Sequence, residues 1–323
     1  MTAKTTKMLW GRAANRCAIC RMELVMDATE TDDLSVVGEA CHIVAQSENG
    51  PRGSSEMTRE QRDLYGNLLL LCNVYHKVID DQPGEYTVER LREIKTTHEA
   101  WVRSNLGMDA PRQRDDEAYA SIIDEWVDRA GVGNWNADIS GMMMADQPRI
   151  HNEVLDRLEA VRPWLLARVW PGRYLELESA FDNFRFVCQD LISVFREHAE
   201  DFGDSEKQTR KFYQSRDWDE ERYRRLGRQY DWHVDLVFDL TAELTRAVNY
   251  VSDMIRRHVL PNFRLADGVS LITTGPNSRM QFVQMRLEYR GAERAERPYP
   301  GLEAFLDLRT TRDYAAGAGQ PPA

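Results

Sequence analysis

Four residues in the first quarter of the chain have the types and spacing needed to hydrolyse a phosphodiester. His42 lies in the segment EACHIV, Asn67 precedes a run of four leucines, and His76 stands four residues before Asp80. A neutral imidazole can accept a proton from water near pH 7, so we interpret His42 as a general base. Residues four apart on a helix share one face, where His76 and Asp80 can bind one divalent metal ion. Asn67 is expected to fix the backbone near His42.

Four of the five cysteines lie in the same part of the sequence. Cys17 and Cys20 form a CxxC pair, and Cys41 and Cys72 follow. In a reducing compartment this pattern favours a metal site over disulfides.

Together these segments resemble HNH endonucleases of the ββα-metal class. The resemblance rests on CAIC, on EACHIVA, on the GPRG loop, and on the N-x4-C-x3-H-x3-D run from Asn67 to Asp80, and it covers about the first third of the chain. It implies a metal-dependent enzyme that hydrolyses DNA. The roles implied are base for His42, orienting residue for Asn67, and metal ligand for His76 and Asp80. The implied cofactors are Mg2+, Mn2+ or Ni2+ at the catalytic site and a structural Zn2+.

One position departs from the family pattern, and another has two open interpretations. Family members usually place another cysteine three residues after the position of Cys72, where this chain has Tyr75. The resemblance therefore implies structural zinc on Cys17, Cys20 and Cys72, although structural zinc usually has four ligands. Cys41, directly before His42, has three open interpretations: the fourth zinc ligand, a ligand of the catalytic metal, or a packed core residue. Arg52, in the loop rich in glycine and proline, is interpreted either as a phosphate contact or as a solvated charge.

Composition and charge limit the partners of the chain. Its 323 residues are 42% hydrophobic and 29% charged, which is typical of a soluble protein long enough for two domains. The net charge is −11, and residues 1–107 carry 13 Lys and Arg against 16 Asp and Glu. DNA affinity must therefore come from a local patch, a metal or several copies binding together. We see no apolar run long enough for a membrane helix and no signal peptide, and we expect a cytoplasmic protein.

The predicted fold class is α+β, with a small ββα-metal nuclease domain followed by a mainly helical domain that has a late β-hairpin. We expect a nuclease domain at 1–107, a connector with one helix at 108–148, and a helical sensor or oligomerisation domain at 149–323. The segment from Asp219 to His258 is long for one helix and suggests an antiparallel hairpin or an intersubunit helix. It is the basis for predicting a homo-oligomer of at least two copies. The tail AAGAGQPPA is expected to be disordered.

The predicted function is a metal-dependent DNA endonuclease. Fusion of such a domain to an unrelated one resembles bacterial antiviral defence effectors, which implies an activating ligand or partner protein. The alternative is a non-catalytic, zinc-stabilised module for DNA binding or assembly. The remaining histidines and the fifth cysteine are expected to be structural or surface residues: His98, His151, Cys188, His198, His233 and His258.

Overall fold

The computed structural model describes residues 1–28, 33–105, 109–143, 147–214, 219–276, 279–294 and 297–322. It combines helices with small antiparallel sheets, so the mixed α+β class is confirmed. The chain divides into two compact units, Met1–Asp124 and Glu125–Ala323, and the division falls inside a helix. The sequence had suggested a boundary at Gly107, which lies outside the described residues. Within the described residues, no helix is long and apolar enough to cross a membrane.

The first unit is built around the strand pair that carries His42. Strand β3 (Gly38–His42) pairs antiparallel with strand β4 (Leu68–Cys72), so that His42 lies opposite Leu68 and Gly38 opposite Cys72. Strand β2 (Ser35–Val36) pairs antiparallel with strand β1 (Val25–Met26). The elements of this unit, including α5, which extends into the second, are α1 (Ala3–Ala13), β1 (Val25–Met26), β2 (Ser35–Val36), β3 (Gly38–His42), α2 (Arg59–Arg62), β4 (Leu68–Cys72), α3 (Asn73–Asp81), α4 (Val88–Asn105) and α5 (Ala110–Ala130).

Strand β4 forms the centre of the first core. All five of its residues are buried, because α1 and α3 both pack against it. This explains why its sequence is a continuous apolar run rather than an alternating one. A Cβ atom on Gly38 would lie 2.7 Å from the Trp10 ring, so the close approach of β3 to α1 requires glycine. His98 is buried and its Nε2 lies 3.1 Å from the carbonyl oxygen of Ala13, as expected for a structural residue.

Part of the predicted connector belongs to the first unit. The carboxylate of Asp124 on α5 accepts hydrogen bonds from the backbone N–H groups of Ala3 (2.8 Å) and Lys4 (2.9 Å). It thereby satisfies two of the free donors at the start of α1. Lys7 on α1 also forms an ion pair with Asp116 at 3.0 Å. The start of α5 is therefore packed structure and not a linker.

The second unit is organised around two long helices that pack together. Helix α8 (Leu175–Glu197) is apolar along one side, and helix α9 (Glu220–His258) continues without a break for 39 residues. Of the two interpretations of this segment, an antiparallel hairpin or an intersubunit helix, the hairpin is wrong, because the segment is one continuous helix. The elements are α6 (Trp135–Ile139), β5 (Arg149–His151), α7 (Asn152–Leu166), α8 (Leu175–Glu197), β6 (Ala199–Phe202), β7 (Glu206–Thr209), α9 (Glu220–His258), β8 (Leu271–Thr274), β9 (Val283–Arg286) and α10 (Leu302–Leu308).

The apolar stripe of α9 is buried within its own chain. Leu236, Leu240, Leu244, Val248 and Val251 are all 2% exposed or less. The homo-oligomer stays a prediction, and it needs a surface other than this stripe. Cys188 is likewise buried, and burial raises the pKa of its thiol to about 12, in agreement with a packed core residue.

Small sheets and the tail complete the second unit. The predicted late hairpin is present as β8 and β9, which pair antiparallel, although Asn277 and Ser278 between them lie outside the described residues. A three-stranded sheet of order β5-β7-β6 was not predicted. The tail is ordered where the structure describes it: the Asp239 carboxylate accepts from Ala316 N at 2.7 Å, and Trp232 donates to Gly319 O at 3.0 Å.

Candidate active site

His42 stands at the end of β3 and is paired with a carboxylate. Its Nε2 lies 2.8 Å from Oδ1 of Asp63, and the imidazole is about a quarter exposed. This hydrogen bond is the largest reason why the pKa of Asp63 is below its usual value. If the carboxylate holds a proton on Nε2, Nδ1 carries the lone pair. The pair therefore gives His42 the tautomer and orientation of a proton acceptor.

Asn67 fixes the backbone of both segments that carry this pair. Its Oδ1 accepts from Val44 N at 2.9 Å, and its Nδ2 donates to Val44 O at 2.9 Å and to Arg62 O at 2.8 Å. Val44 follows His42 by two residues, and Arg62 directly precedes Asp63. One buried amide thus holds the segments that carry both members of the pair. This is the orienting position predicted for Asn67, and it extends to Asp63.

His76 has a carboxylate at each ring nitrogen. Its Nδ1 is hydrogen-bonded to Glu39 on β3, and its Nε2 lies 3.6 Å from Oδ2 of Asp80, one helical turn further along α3. The three side chains are 29%, 52% and 39% exposed for His76, Glu39 and Asp80. A carboxylate on the far nitrogen of a histidine fixes its tautomer and leaves the other nitrogen for a metal. His76 and Asp80 are brought together as predicted, and Glu39 joins them.

Arg52 connects the segment after His42 to the helix that carries His76 and Asp80. Its side chain is 5% exposed and donates to Ile43 O at 2.9 Å, to Ile79 O at 2.6 Å and to Asp80 Oδ1 at 2.9 Å. The Ile79 carbonyl would otherwise pair with the residue four further on, which is Pro83 and has no N–H. Arg52 therefore caps α3. Neither a solvated charge nor a phosphate contact describes this inward-facing side chain.

Three cysteines converge at the other end of the strand pair. The sulfur atoms of Cys17, Cys20 and Cys72 all lie within 4.8 Å of one another, with Cys20 and Cys72 at 4.0 Å. Burial raises the pKa of Cys17, but hydrogen bonds from backbone groups of Cys72, Cys20 and Ile19 lower it further than burial raises it. A thiol that ionises readily is a good zinc ligand. Cys20 is exposed, so the cluster opens to solvent on one side.

Cys41 is not part of this cluster. The register pairs it with Leu69, whereas Cys72 pairs with Gly38, three residues away along β3. This separation corrects the interpretation of Cys41 as the fourth zinc ligand. Burial is the main reason why the pKa of Cys41 is raised to about 12, and the charges that influence it are those of Asp80, Arg52 and Glu39. A protonated thiol is a poor metal ligand, so the raised pKa favours the interpretation of Cys41 as a packed core residue.

Three polar residues of the site were missed from the sequence. Glu39 shares a face of β3 with Cys41 by strand alternation, which is a weak signal. Asp63 follows the short helix α2, whose N-cap Thr58 forms a capping box with Gln61. Arg62 is 3% exposed and donates to the carbonyls of Gly53 and Ser55, and so orders the loop around Arg52. Its sequence, TREQRD, gives no sign of burial.

The chain was compared with known proteins. No protein-family model matches it, and no curated protein matches it. The function must therefore be argued from the chemistry of the site.

Proposed function

We propose that the first unit is a metal-dependent DNA endonuclease of the HNH type. The observation that carries the proposal is the histidine at position 76 with Glu39 on one ring nitrogen and Asp80 near the other. Carboxylate, histidine and metal in that order is a recurrent arrangement at metal centres. The His42–Asp63 pair adds a proton acceptor in the same unit. A module that only binds DNA would need neither this metal-binding arrangement nor a proton acceptor.

The donor set fits one divalent ion. Metal–ligand distances for imidazole and carboxylate are roughly 2.0–2.2 Å, so two ligand atoms 3.6 Å apart can reach the same ion. Arg52 engages Oδ1 of Asp80 and leaves Oδ2 towards His76. When bound, the ion would stabilise negative charge on the scissile phosphate and on the leaving oxygen. Mg2+, Mn2+ and Ni2+ are the candidates to test, and the imidazole favours the transition metals.

The residues of the chain supply the proton chemistry. His42 takes a proton from the attacking water through Nδ1 while Asp63 holds the opposite nitrogen. The water oxygen forms a bond to phosphorus, and the bond from phosphorus to the leaving oxygen breaks. Asn67 does not touch the reacting atoms and is a positioning residue for the His42 and Asp63 segments. Glu39 and Arg52 are positioning residues for His76 and Asp80.

A structural Zn2+ on Cys17, Cys20 and Cys72 is part of the proposal. Cys17 and Cys20 belong to the segment between α1 and β1, and Cys72 ends β4. An ion held by all three would join the segment after α1 to the point where β4 leads into α3, which carries His76. Zinc at such a site contributes directly to folding free energy. Assembly into a homo-oligomer and control by an activating ligand or partner stay predictions.

The test is cleavage of supercoiled plasmid by the full chain in Mg2+, Mn2+ or Ni2+. We expect His42→Ala to lower the rate by about 100-fold or more, the usual contribution of a general base. Added imidazole should restore part of the activity if only the proton acceptor is missing. Glu39→Gln should instead raise the metal concentration needed for half-maximal rate by about 10-fold to 100-fold.

His151→Ala is the matched control, since His151 is an exposed histidine of the second unit that lies near a carboxylate, Glu206 at 3.5 Å. It should cleave like the unmodified chain. Circular dichroism of each variant checks that the fold is retained. Equal cleavage by His42→Ala and the unmodified protein would reject the proposal. Absence of cleavage in every metal, with DNA binding intact, would favour the non-catalytic module.

A further inference from the structure

Two histidines and a glutamate meet at the carboxyl end of α8, and one of the histidines is distant in sequence from the other two residues. Glu197 is the last residue of α8, His198 follows it directly, and His233 lies in α9. One ligand atom from each lies within 4.8 Å of the other two. The sequence had indicated only scattered histidines in this unit, and the fold brings these two together.

His233 has a buried nitrogen that the chain does not satisfy. The residue is 3% exposed, and its Nε2 has no hydrogen-bond partner among the described residues. A buried polar atom of this kind costs free energy and calls for an explanation, such as an ion that binds there. Burial, followed by the neighbouring His198, lowers the pKa of His233 to about 4.

The neighbours of His198 hold its ring in place. The ring of Phe212 lies 4.0 Å from that of His198, measured between centroids, and Arg210 N donates to His198 O at 2.7 Å. The rings of His198 and His233 are nearly perpendicular, with their centroids 4.8 Å apart. Packing of two neutral histidines against Phe212 would account for these contacts. It would not account for the unpaired nitrogen of His233.

The cluster has a closed side and an open side. The side chain of His198 is 26% exposed and that of Glu197 is 68% exposed, so an ion can enter from the glutamate side and reach the buried His233. The position also favours a cation electrostatically, because unpaired carbonyl groups at the carboxyl end of a helix carry partial negative charge. α8 has 23 residues, and His198 is its C-cap.

We propose that Glu197, His198 and His233 form a metal site in the second unit, for which Zn2+ is the best match. Two imidazoles and one carboxylate are a common zinc donor set, and imidazole also suits Ni2+ and Co2+ better than Mg2+. Ligand atoms around tetrahedral zinc lie about 3.4 Å apart, so the cluster must contract by up to about 1.4 Å from its present 4.8 Å limit. Rotation of the exposed Glu197 side chain provides such a contraction. The ion would tie the end of α8 to α9.

The test measures zinc bound by the full chain after removal of metal and equilibration with Zn2+. We compare the unmodified protein with Glu197→Gln, His233→Gln and the control His151→Gln. The metal-binding residues of the first unit are the same in all four proteins, so differences in bound zinc report the site in the second unit alone. We expect His233→Gln to bind one zinc fewer than the unmodified protein. Glu197→Gln should weaken binding at this site by about 10-fold or more, and His151→Gln should change nothing.

Glu197→Gln keeps the test decisive if His233→Gln fails to fold, because Glu197 is exposed and the substitution is close in shape. Anomalous scattering at the zinc absorption edge, in crystals of the zinc-loaded chain, should show a peak between the two imidazoles. Equal zinc content and affinity in the unmodified protein and in Glu197→Gln, or the absence of that peak, would overturn the proposal. Neither readout depends on nuclease activity, so failure here is distinct from failure of the proposed function.

Discussion

Replacing Arg52 distinguishes two interpretations of this residue: a contact to a DNA phosphate, and a positioning residue that caps α3 and anchors Asp80. As a phosphate contact, Arg52 would contribute to DNA binding and little to folding. In the structure its guanidinium pairs with the carbonyl oxygens of Ile43 and Ile79 and with Asp80. We therefore expect Arg52→Ala to destabilise the first unit and to weaken metal binding, because α3 loses its cap and Asp80 loses its anchor.

The expected loss can be worked out from these contacts. Ile43 and Ile79 are both 0% exposed, and each carbonyl left without a donor costs about 1–3 kcal/mol. Together they give about 4 kcal/mol, before any contribution from the partly exposed pair with Asp80. Arg52 also has a positive φ of 57°, which costs a residue other than glycine about 1–2 kcal/mol. Arg52→Gly removes this strain and gives up only about 0.4–1 kcal/mol of chain entropy, so it should be less destabilising than Arg52→Ala.

Native-state hydrogen exchange of the β4 amides in the full chain measures the unfolding free energy of this unit. DNA binding as a function of salt measures phosphate contacts, since loss of one lowers the slope by about 1. Arg59→Ala is the matched control, an exposed arginine close in sequence. We expect Arg52→Ala to lose stability with an unchanged salt slope. Unchanged stability together with a slope reduced by about 1 would refute the positioning role.

Two further predictions concern the zinc cluster and the His42–Asp63 pair. Tyr75→Cys should tighten zinc binding by at least about 10-fold, because Tyr75 N already donates to Cys72 Sγ at 3.5 Å and a fourth thiolate would complete the usual set. Competition with a coloured chelator measures this, Tyr86→Cys is the control, and unchanged affinity would contradict it. Asp63→Asn should lower stability at pH 7, because the depressed pKa of Asp63 means that its carboxylate stabilises the fold above the unfolded pKa of about 4. The difference from the unmodified chain should vanish as the pH falls through the folded pKa, and a difference that persists at lower pH would contradict the assignment.

Sequence spacing predicted the neighbours that a helix or strand brings together. His76 and Asp80 meet because they are one turn apart on α3, and Cys17 and Cys20 meet because they share one tight turn. Residues that meet through tertiary contacts gave no such signal. Glu39 reaches His76 only because β3 lies beside β4 and α3 follows directly, and Asp63 reaches His42 from another segment. Contacts of this kind join segments that are distant in sequence, so they leave no periodic pattern in the local sequence.

The same limit applies to the fold of the second unit. The helical spacing of apolar residues in α9 does not say whether the apolar stripe faces another subunit or its own chain. The structure shows that the stripe is buried within its own chain. The tail was expected to be disordered because it is rich in Gly, Ala and Pro. Composition did not reveal that Asp239 binds the amides of Ala316 and Gly317, or that Gly317 fits where a Cβ would lie 2.7 Å from Arg309.

The arrangement of the first unit explains why its site depends on buried polar side chains. Strand β3, which carries His42, and its partner β4 have only five residues each. Residues 43–58, between β3 and α2, form no β-strand whose hydrogen bonds could satisfy their backbone carbonyls. Arg52, Arg62 and Asn67 supply those hydrogen bonds instead, and each arginine has up to five donors. Positioning and stability are thus provided by the same residues. Substitution of these three should therefore affect cleavage and unfolding together, whereas substitution of the partly exposed His42 should lower cleavage far more than stability, since it removes only the hydrogen bond to Asp63.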